Sequence, residues 1–228
     1  MTCTWLGQAG LLFDFDGTTV MVDPYLSDSI AKSNPAKSRK IPVDESFLNI
    51  RPDVLIPTHD HIDHTDPETL DTILGKNTGV LVLASQNAWS RVRTYGNDHN
   101  YVVFNRGTQW TTNSLSFRAV HAQHSDSAAI GVLITYKGET YYVSGDTLYH
   151  NDVIKDVLDS GHRICTAFLP VNGVGNNMNM ADAAQLAQAI NSQKVVPVHF
   201  GLIDDLDPAK DFPAENKVIP QIYKVIGL

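Results

Sequence analysis

The residues best able to bind a metal ion lie close together in residues 58–66, which contain His59, His61, Asp63 and His64. Neutral imidazoles and carboxylates are ligands that divalent transition metals take in proteins. His59 and His61 are two positions apart, so in extended backbone their side chains point to the same side. Asp63 and His64 are adjacent, so the chain must turn there to direct both at a second position. This spacing predicts a metal-binding loop, since a metal-binding helix presents its histidines at i and i+4.

The sequence on either side of this loop places it between a strand and a helix. Residues 54–56 form a short apolar run that is typical of a buried strand. Asp66 is a predicted helix N-cap, and Pro67 follows at the first helical position. The apolar face of this helix is predicted to consist of Leu70, Ile73 and Leu74, and Gly75 is placed to end it. Sites of α/β proteins commonly lie between a strand end and a helix start.

The remaining sequence predicts an all-β opening followed by mixed strands and helices. The opening strands are predicted over residues 2–6, 11–15 and 18–22, with a hairpin turn at Asp16-Gly17. Further strands are predicted over residues 80–84, 101–104, 108–112, 115–122, 130–136, 140–144, 165–170 and 195–198. A hairpin turn is predicted at Asn113-Ser114, and helices over residues 86–92 and 180–190. No repeat or composition break indicates a linker, so we expect a single domain over residues 1–228.

The motif His59-x-His61-x-Asp63-His64 resembles the signature of the metallo-β-lactamase superfamily. The resemblance implies an α/β fold, the four-layer αββα sandwich, in which two mixed sheets are flanked by helices. It also implies one or two metal ions at the edge of the facing sheets and hydrolysis of an ester, amide, lactone or phosphoester. Residues 5–10, 23–29 and 169–173 are similar to the branch that contains ascorbate-6-phosphate lactonase and its small relatives.

The resemblance requires further ligands downstream. In an alternating strand His121 and His124 fall on opposite faces, and His124 stands where the strand ends, next to Ser125. The family pattern Ala-x-His-Ser also falls on His124, so His124 is the preferred ligand and His121 a core or neighbouring histidine. Asp146 follows a glycine at a strand end, where the superfamily has its bridging carboxylate, and His199 supplies the last imidazole. The predicted ligands are His59, His61 and His124 for one metal, Asp63, His64 and His199 for the other, and Asp146 between them.

These ligands leave the metal open between Mn, Zn and Fe, because no cysteine is among them. The lactonase resemblance favours Mn. A bound metal lowers the pKa of a water molecule from about 15.7 to near 7 and so supplies hydroxide at neutral pH. Asp63 would either bind the second metal or, with one metal, orient the water and accept its proton. Asp63 and Asp146 are therefore the candidate catalytic residues.

The substrate is expected to be a small anionic ester, with a sugar-phosphate lactone as the leading candidate. Asn172, in a stretch that resembles the active-site rim of lactonases, and Tyr149, on the loop after Asp146, are candidate substrate-binding residues. Lys37 and Arg39 lie in a basic polar segment, residues 30–45, that could attract an anion, although a solvated loop explains the same charges more simply. The alternative activity is that of a phosphodiesterase on cyclic or simple phosphodiesters, and a non-catalytic metal-binding protein is a weaker alternative.

The composition excludes several other classes. The formal net charge is −8 and no extended basic segment is present, which argues against nucleic acid as the primary partner. No apolar run is long enough to cross a membrane, and the N-terminus lacks the pattern of a secretion signal. Cys3 and Cys165 are too few for a disulfide framework. We expect a cytoplasmic protein with reduced thiols and a small-molecule substrate, and a homo-oligomer is compatible with the sequence.

Overall fold

The computed structural model describes residues 1–96, 98–112 and 114–228. In this part of the chain twelve strands form two six-stranded sheets, and within each sheet the strands follow their order in the sequence. The first sheet contains β1 (Thr2–Gly7), β2 (Gly10–Phe15), β3 (Thr18–Val22), β4 (Val54–Ile56), β5 (Leu81–Ala84) and β6 (Asn100–Val103). Its strands are antiparallel from β1 to β3 and parallel from β3 to β6.

The second sheet has the same mixed character. It contains β7 (Gln109–Thr112), β8 (Leu115–His121), β9 (Ile130–Tyr136), β10 (Glu139–Val143), β11 (Ile164–Pro170) and β12 (Lys194–Val198). Its strands are antiparallel from β7 to β10 and parallel from β10 to β12. Parallel strands need a crossover connection, and in both sheets helices supply most of the crossovers.

Helices cover the outer faces of the sheets. They are α1 (Ser29–Ser33), α2 (Pro67–Lys76), α3 (Gln86–Val92), α4 (Asn151–Asp159), α5 (Met180–Ala189) and α6 (Pro208–Asp211), with 3₁₀ turns at Pro35–Lys37 and Glu45–Asn49. Leu70 and Ile73 of α2 pack with Leu55 and Val82 of the first sheet. The apolar faces of α4 and α5 join the core that the second sheet shares with the first. The predicted αββα sandwich of two mixed sheets is confirmed.

The aromatic side chains between the sheets hold the two halves together. Phe13 of β2 is fully buried and stacks on Phe15, with their ring centroids 5.5 Å apart. It also meets Phe168 of β11 edge-on at 5.4 Å. Offset and edge-to-face contacts of this kind add to the hydrophobic gain of burying the rings.

Most of the predicted turns and caps are present. Asp16 and Gly17 both have positive φ, as a tight hairpin between β2 and β3 requires, and the Asp66 side chain accepts a hydrogen bond from Thr69 N as N-cap of α2. The prediction that Gly75 ends α2 is wrong. The helix continues to Lys76, and Asn77 Nδ2 donates to Ile73 O at 2.7 Å, so a side chain satisfies the terminal carbonyl that a left-handed glycine would otherwise help to satisfy.

Four further features differ from the predictions or lie beyond them. Helix α4 was not predicted, and residues 30–45, predicted as a loop, contain most of α1 and a 3₁₀ turn. The predicted turn at Asn113-Ser114 includes Asn113, which is outside the described residues, while β7 and β8 on either side pair antiparallel as predicted. The C-terminal segment returns to the first sheet through bridges that join Trp5 to Ile222 and Thr4 to Val225.

None of the helices in the described residues combines the length and the apolar character that crossing a membrane requires.

We expect Phe13→Ala to lower the free energy of unfolding by about 3–5 kcal/mol, because it removes a buried ring from the interface between the sheets. Urea denaturation followed by circular dichroism would measure the loss. Leu158→Ala, at a position 45% exposed on α4, is the control and should change stability by about 0.5 kcal/mol or less. Equal effects of the two substitutions would contradict the assignment of Phe13 to the shared core.

Candidate metal centre

Polar residues that follow parallel strands meet at one edge of the sandwich. Asp23 directly follows β3, and the loop that contains His59 follows β4. In the second sheet Asp146 follows β10 and His199 directly follows β12. The carboxyl ends of parallel strands in one sheet lie at one edge, and here the corresponding edges of the two facing sheets adjoin. The topology thus brings together residues that are far apart in the sequence.

The first group of potential ligands consists of His59, His61, His124 and Asp146. One donor atom from each lies within 4.8 Å of the others. His124 Nε2 is 3.2 Å from His61 Nδ1, and His124 Nδ1 is 3.2 Å from the carbonyl oxygen of Asn176. If Nδ1 carries the proton and donates to that carbonyl, the lone pair of His124 Nε2 faces the group. His121, the alternative to His124, lies in a separate group with His150 and Asp152.

The second group consists of Asp63, His64 and His199, whose donor atoms also lie within 4.8 Å of one another. His199 Nε2 is 3.2 Å from Asp63 Oδ2. Asp146 Oδ2 is 3.4 Å from His64 Nε2 and 3.5 Å from His199 Nε2, so this carboxylate belongs to both groups. The turn expected at Asp63 and His64 is present, since Thr65 N donates to His61 O at 2.8 Å. The structure therefore brings all the predicted metal ligands together.

A residue that the sequence analysis did not single out as a ligand or a partner orients this arrangement. Asp23 is fully buried and accepts hydrogen bonds from Thr58 N at 2.7 Å and Thr58 Oγ1 at 2.6 Å. His64 Nδ1 lies 2.8 Å from the same carboxylate. Thr58 Oγ1 donates to Asp23, so it can accept from His59 Nδ1 at 3.1 Å. One carboxylate thereby fixes the Nδ1–H tautomer of both His59 and His64, directly for one and through a hydroxyl for the other.

Three amide side chains contact three of the other ligands, and sequence reasoning missed these roles as well. Gln8 Nε2 donates to Asp63 Oδ2 at 3.2 Å, and Asn177 Nδ2 donates to Asp146 Oδ2 at 2.7 Å. Asn172, predicted to bind substrate, has its Nδ2 3.0 Å from His199 Nδ1. Its Oδ1 is buried without a partner, so a turn of the amide by 180° would let Oδ1 accept a hydrogen bond from His199 Nδ1. No sequence signal distinguishes these amides from ordinary buried or loop residues.

Unpartnered polar atoms test whether a metal ion fits. Among the described residues His59 Nε2, His64 Nε2 and Asp146 Oδ1 are buried and form no hydrogen bond. Buried polar atoms are nearly always paired, so three orphans in one cluster need a partner that the chain does not supply. Imidazole nitrogens with their Nδ1 protons already committed, together with carboxylates, match the ligand preference of a divalent transition metal. The residues present therefore fit such an ion.

The backbone is strained where it presents these side chains. Gln8, Asp23 and His199 have φ values of 46°, 44° and 62°, in the left-handed region that non-glycine residues rarely occupy. Gly145, before Asp146, has φ of 57°, and a side chain there would come within 2.8 Å of Ile130 O. Strained residues of this kind cluster at functional sites, where the surrounding structure holds them.

Comparison with known proteins agrees with this geometry. Residues 18–200 match the family described as the beta-lactamase superfamily domain. A UPF0173 metal-dependent hydrolase from Exiguobacterium is 30% identical in an alignment of 223 positions that covers 92% of this chain and 89% of that protein.

The chain belongs to the metallo-β-lactamase superfamily.

Two solved structures share the fold of this superfamily member at low sequence identity. A metallo hydrolase from Ignicoccus hospitalis has a TM-score of 0.77 at 20% identity and covers 98% of this chain and 96% of its own. An isothiocyanate hydrolase from gut bacteria of Delia radicum has a TM-score of 0.76 at 17% identity, with coverage of 100% and 99%. These two structures show the shared fold alone. The relative above and the converging ligands support the general class: this superfamily member is a metal-dependent hydrolase.

Burial and neighbouring charges shift the pKa values of His59 and His64, one in each group, in opposite directions. Burial lowers the pKa of His59 well below its usual value, which keeps the imidazole neutral. At His64 burial acts in the same direction, but the carboxylates of Asp146, Asp23 and Asp63 outweigh it and raise the pKa. Burial would raise the pKa of Asp146, but His199 and His64 outweigh it and lower that pKa. The two groups thus combine a neutral imidazole with imidazole–carboxylate pairs whose charges compensate one another.

The other predicted substrate residues lie outside these two groups. Tyr149 is exposed on the loop after Asp146. Arg39 donates to Tyr25 O at 2.8 Å and to Tyr223 Oη at 2.6 Å, and it thereby ties the polar segment to the C-terminal segment. Lys37 is exposed and, within the described residues, forms no ion pair. Their roles in binding a substrate stay predictions.

We expect Asp23→Asn to weaken metal affinity by about 10–100-fold, because an amide has one acceptor oxygen. It cannot replace both Oδ2, which meets His64 Nδ1 and Thr58 Oγ1, and Oδ1, which accepts from Thr58 N. Competition with a chromophoric chelator would measure the affinity. Asp53→Asn is the matched control, since Asp53 also accepts from a threonine, Thr19 N at 2.9 Å and Oγ1 at 3.1 Å, but contacts no histidine. An equal loss in the control would show a general effect of destabilisation instead.

Asn172→Ala should also weaken metal affinity, because His199 Nδ1 loses the nearer of its two amide partners, Asn172 Nδ2 at 3.0 Å, and keeps Gln8 Nε2 at 3.4 Å. The Michaelis constant of the remaining metal-loaded enzyme should stay within about twofold, since the effect passes through His199. Metal titration and steady-state kinetics on the same preparation separate the two effects, with exposed Asn49→Ala as the control. A raised KM with unchanged metal affinity would instead make Asn172 a substrate-binding residue.

Proposed function

We propose that this superfamily member hydrolyses a small ester, with a lactone as the leading substrate class, at a site that holds one or two divalent metal ions. The observation that carries the proposal is the convergence of seven ligand-type side chains from both sheets, with orphaned nitrogens at His59 and His64. His59, His61, His124 and Asp146 would hold one ion, and Asp63, His64 and His199, with Asp146, the other. Mn or Zn suits this set of nitrogen and oxygen donors, and Fe is compatible with it.

A divalent ion at such a site supplies a Lewis acid for the scissile carbonyl or phosphoryl group and acidifies a water molecule. The chain's own residues orient the reactants and move the proton. Asp63 Oδ2 is held by Gln8 Nε2 and faces His199 Nε2, while Oδ1 accepts no hydrogen bond among the described residues. Asp63 also has the most exposed side chain of the three aspartates around the ligands, at 15%. Asp63 Oδ1 is therefore suited to accept a proton from water, with Asp146 as the carboxylate shared by the two groups.

A polar cavity next to His61 could receive the substrate. It has a volume of about 380 Å³ and is lined by Asp60, His61, Asn87, Ser125, Asp126 and Ser127. Ser125 Oγ lies 3.3 Å from His61 Nε2, so the cavity adjoins the first ligand group. Ligand sites of roughly 300–1,000 Å³ accommodate small molecules. A lining of hydroxyls, an amide and carboxylates suits a hydroxylated substrate such as a sugar lactone.

The expected preference for an anion rests on fewer free cations than the sequence indicated. Lys32 pairs with Glu68 at 2.7 Å, and Lys40 pairs with Asp205. Arg39 is engaged by Tyr25 and Tyr223. Lys37 is the remaining cation of the basic segment that could attract a phosphate group on a lactone.

A phosphodiesterase is the second candidate activity, because the same ligands can support attack on carbon or on phosphorus. The lining of the polar cavity suits the hydroxyl groups of a substrate but does not distinguish attack on carbon from attack on phosphorus. The relative kcat/KM on lactones and on a phosphodiester therefore distinguishes the two activities.

Side-by-side kinetics with Mn-loaded and Zn-loaded protein would test the proposal. The substrates are a phosphorylated sugar lactone, its unphosphorylated analogue and a simple phosphodiester. We expect the highest kcat/KM on a lactone and a loss of about 10–100-fold or more in Asp146→Asn, because the shared carboxylate changes its charge. Asp53→Asn, with its carboxylate outside the site, should keep full activity.

Three outcomes would contradict parts of the proposal. Faster cleavage of the phosphodiester than of both lactones would replace lactonase by phosphodiesterase activity. No gain from the phosphate group, together with no effect of Lys37→Ala, would remove the anionic preference. Full activity and full metal content in Asp146→Asn would remove Asp146 from the site.

A further inference from the structure

A third group of potential metal ligands lies outside the two groups described above. It consists of His121, the last residue of β8, His150, the N-cap residue of α4, and Asp152 in the first turn of that helix. One donor atom from each lies within 4.8 Å of the others. His121 is partly buried, and the other two are exposed, so the group opens to solvent.

The local contacts leave these side chains able to meet a cation. His121 Nε2 is 3.4 Å from Gln123 Oε1, and a hydrogen bond there leaves the lone pair of Nδ1 free. His150 Nδ1 accepts a hydrogen bond from Asp152 N at 3.2 Å and lies 3.7 Å from Asp152 Oδ2, so the ring must turn away from this cap to offer Nδ1 to an ion. The His150 side chain is 46% exposed, so its ring has room to turn.

The helix N-terminus and the nearby carboxylates have opposite effects on a cation at this group. The N-terminus of α4 disfavours positive charge. Two carboxylates of the same helix oppose this effect: Asp152 is within the group, and Asp156 accepts from His121 N at 2.6 Å. Arg106 pairs with Asp156 at 3.0 Å, so Asp152 carries the uncompensated negative charge.

The two segments that provide this group also provide ligands of the central site, which consists of the first and second groups described above. His121 precedes His124 by three residues, and His150 follows Asp146 by four. The same segments are joined by Gln123 N donating to Thr147 Oγ1 and Leu148 N donating to Gln123 O, both at 2.9 Å. An ion held by His121, His150 and Asp152 would add a link between them on the outer side.

We propose that His121, His150 and Asp152 form a peripheral site for a divalent transition metal, which ties together the two segments that carry His124 and Asp146. Two imidazoles and one carboxylate, with water completing the coordination, suit Zn²⁺, Ni²⁺ or Cu²⁺ better than Mg²⁺ or Ca²⁺, which prefer oxygen ligands. The site is independent of the reaction that the central site performs.

The test is calorimetric titration of Zn²⁺ into full-length protein whose central site is already loaded. We expect one further equivalent in the wild type and in His162→Ala, an exposed histidine outside the group. His121→Ala and Asp152→Ala should each weaken binding of this equivalent at least tenfold. It should persist in His59→Ala/His61→Ala, which damages the central site, and Mg²⁺ in place of Zn²⁺ should give no binding in the same range.

A second measurement follows the proposed link directly. At a Zn²⁺ concentration about 100 times the dissociation constant, the melting temperature should rise by roughly 5–10 °C in the wild type and not in His121→Ala. Amide exchange in residues 121–124 and 146–152 should slow in parallel. Loss of the further equivalent in His59→Ala/His61→Ala, or its full retention in both His121→Ala and Asp152→Ala, would overturn the proposal.

Discussion

The central site depends on the hydrogen bonds of the buried Asp23 carboxylate. This carboxylate accepts from the backbone and the hydroxyl of Thr58 and lies 2.8 Å from His64 Nδ1. A buried carboxylate is stable only when hydrogen-bond donors surround it. Here the donors are Thr58 and the predicted ligand His64. These hydrogen bonds join His64, and Thr58 beside His59, to the residue that follows β3. The orientations of the His59 and His64 rings therefore depend on the first sheet as well as on the loop.

The second sheet, which faces the first, supplies the ligands that the loop cannot provide. Residues 58–66 provide ligands from one side only, and His124, Asp146 and His199 must come from the second sheet across the core. The aromatic contacts of Phe13 with Phe168 fix the separation of the sheets. Packing in the interior therefore determines distances at the edge, since a close-packed core transmits small displacements.

The central site also concentrates charges that would be costly if they stood alone. Asp23, Asp63 and Asp146 lie beside His64 and His199, and each carboxylate contacts at least one imidazole or amide donor. Burial of an isolated carboxylate would be strongly unfavourable, so the imidazoles and amides are needed for the fold as well as for the chemistry. The positive φ angles of Gln8, Asp23 and His199 indicate that the backbone accepts strain to keep these contacts.

Local sequence signals were enough to predict the strand–loop–helix that carries the histidine motif, because hydrophobic periodicity, helix caps and residue spacing are local properties. The αββα sandwich was predicted through the resemblance that this motif carries. The sequence also named Asp146 and His199, but only through a resemblance, since their place beside His64 depends on contacts between strands far apart in the chain. Helix α4 was missed although its buried residues Val153 and Val157 have helical spacing, and the end of α2 was misplaced because a side-chain cap at Asn77 takes the place of a glycine cap. The supporting roles of Asp23, Gln8, Asn172 and Asn177 could be seen only in the folded chain. A buried polar residue is recognised by the partner it meets, and the parallel pairing of strands in two sheets decided which partners meet.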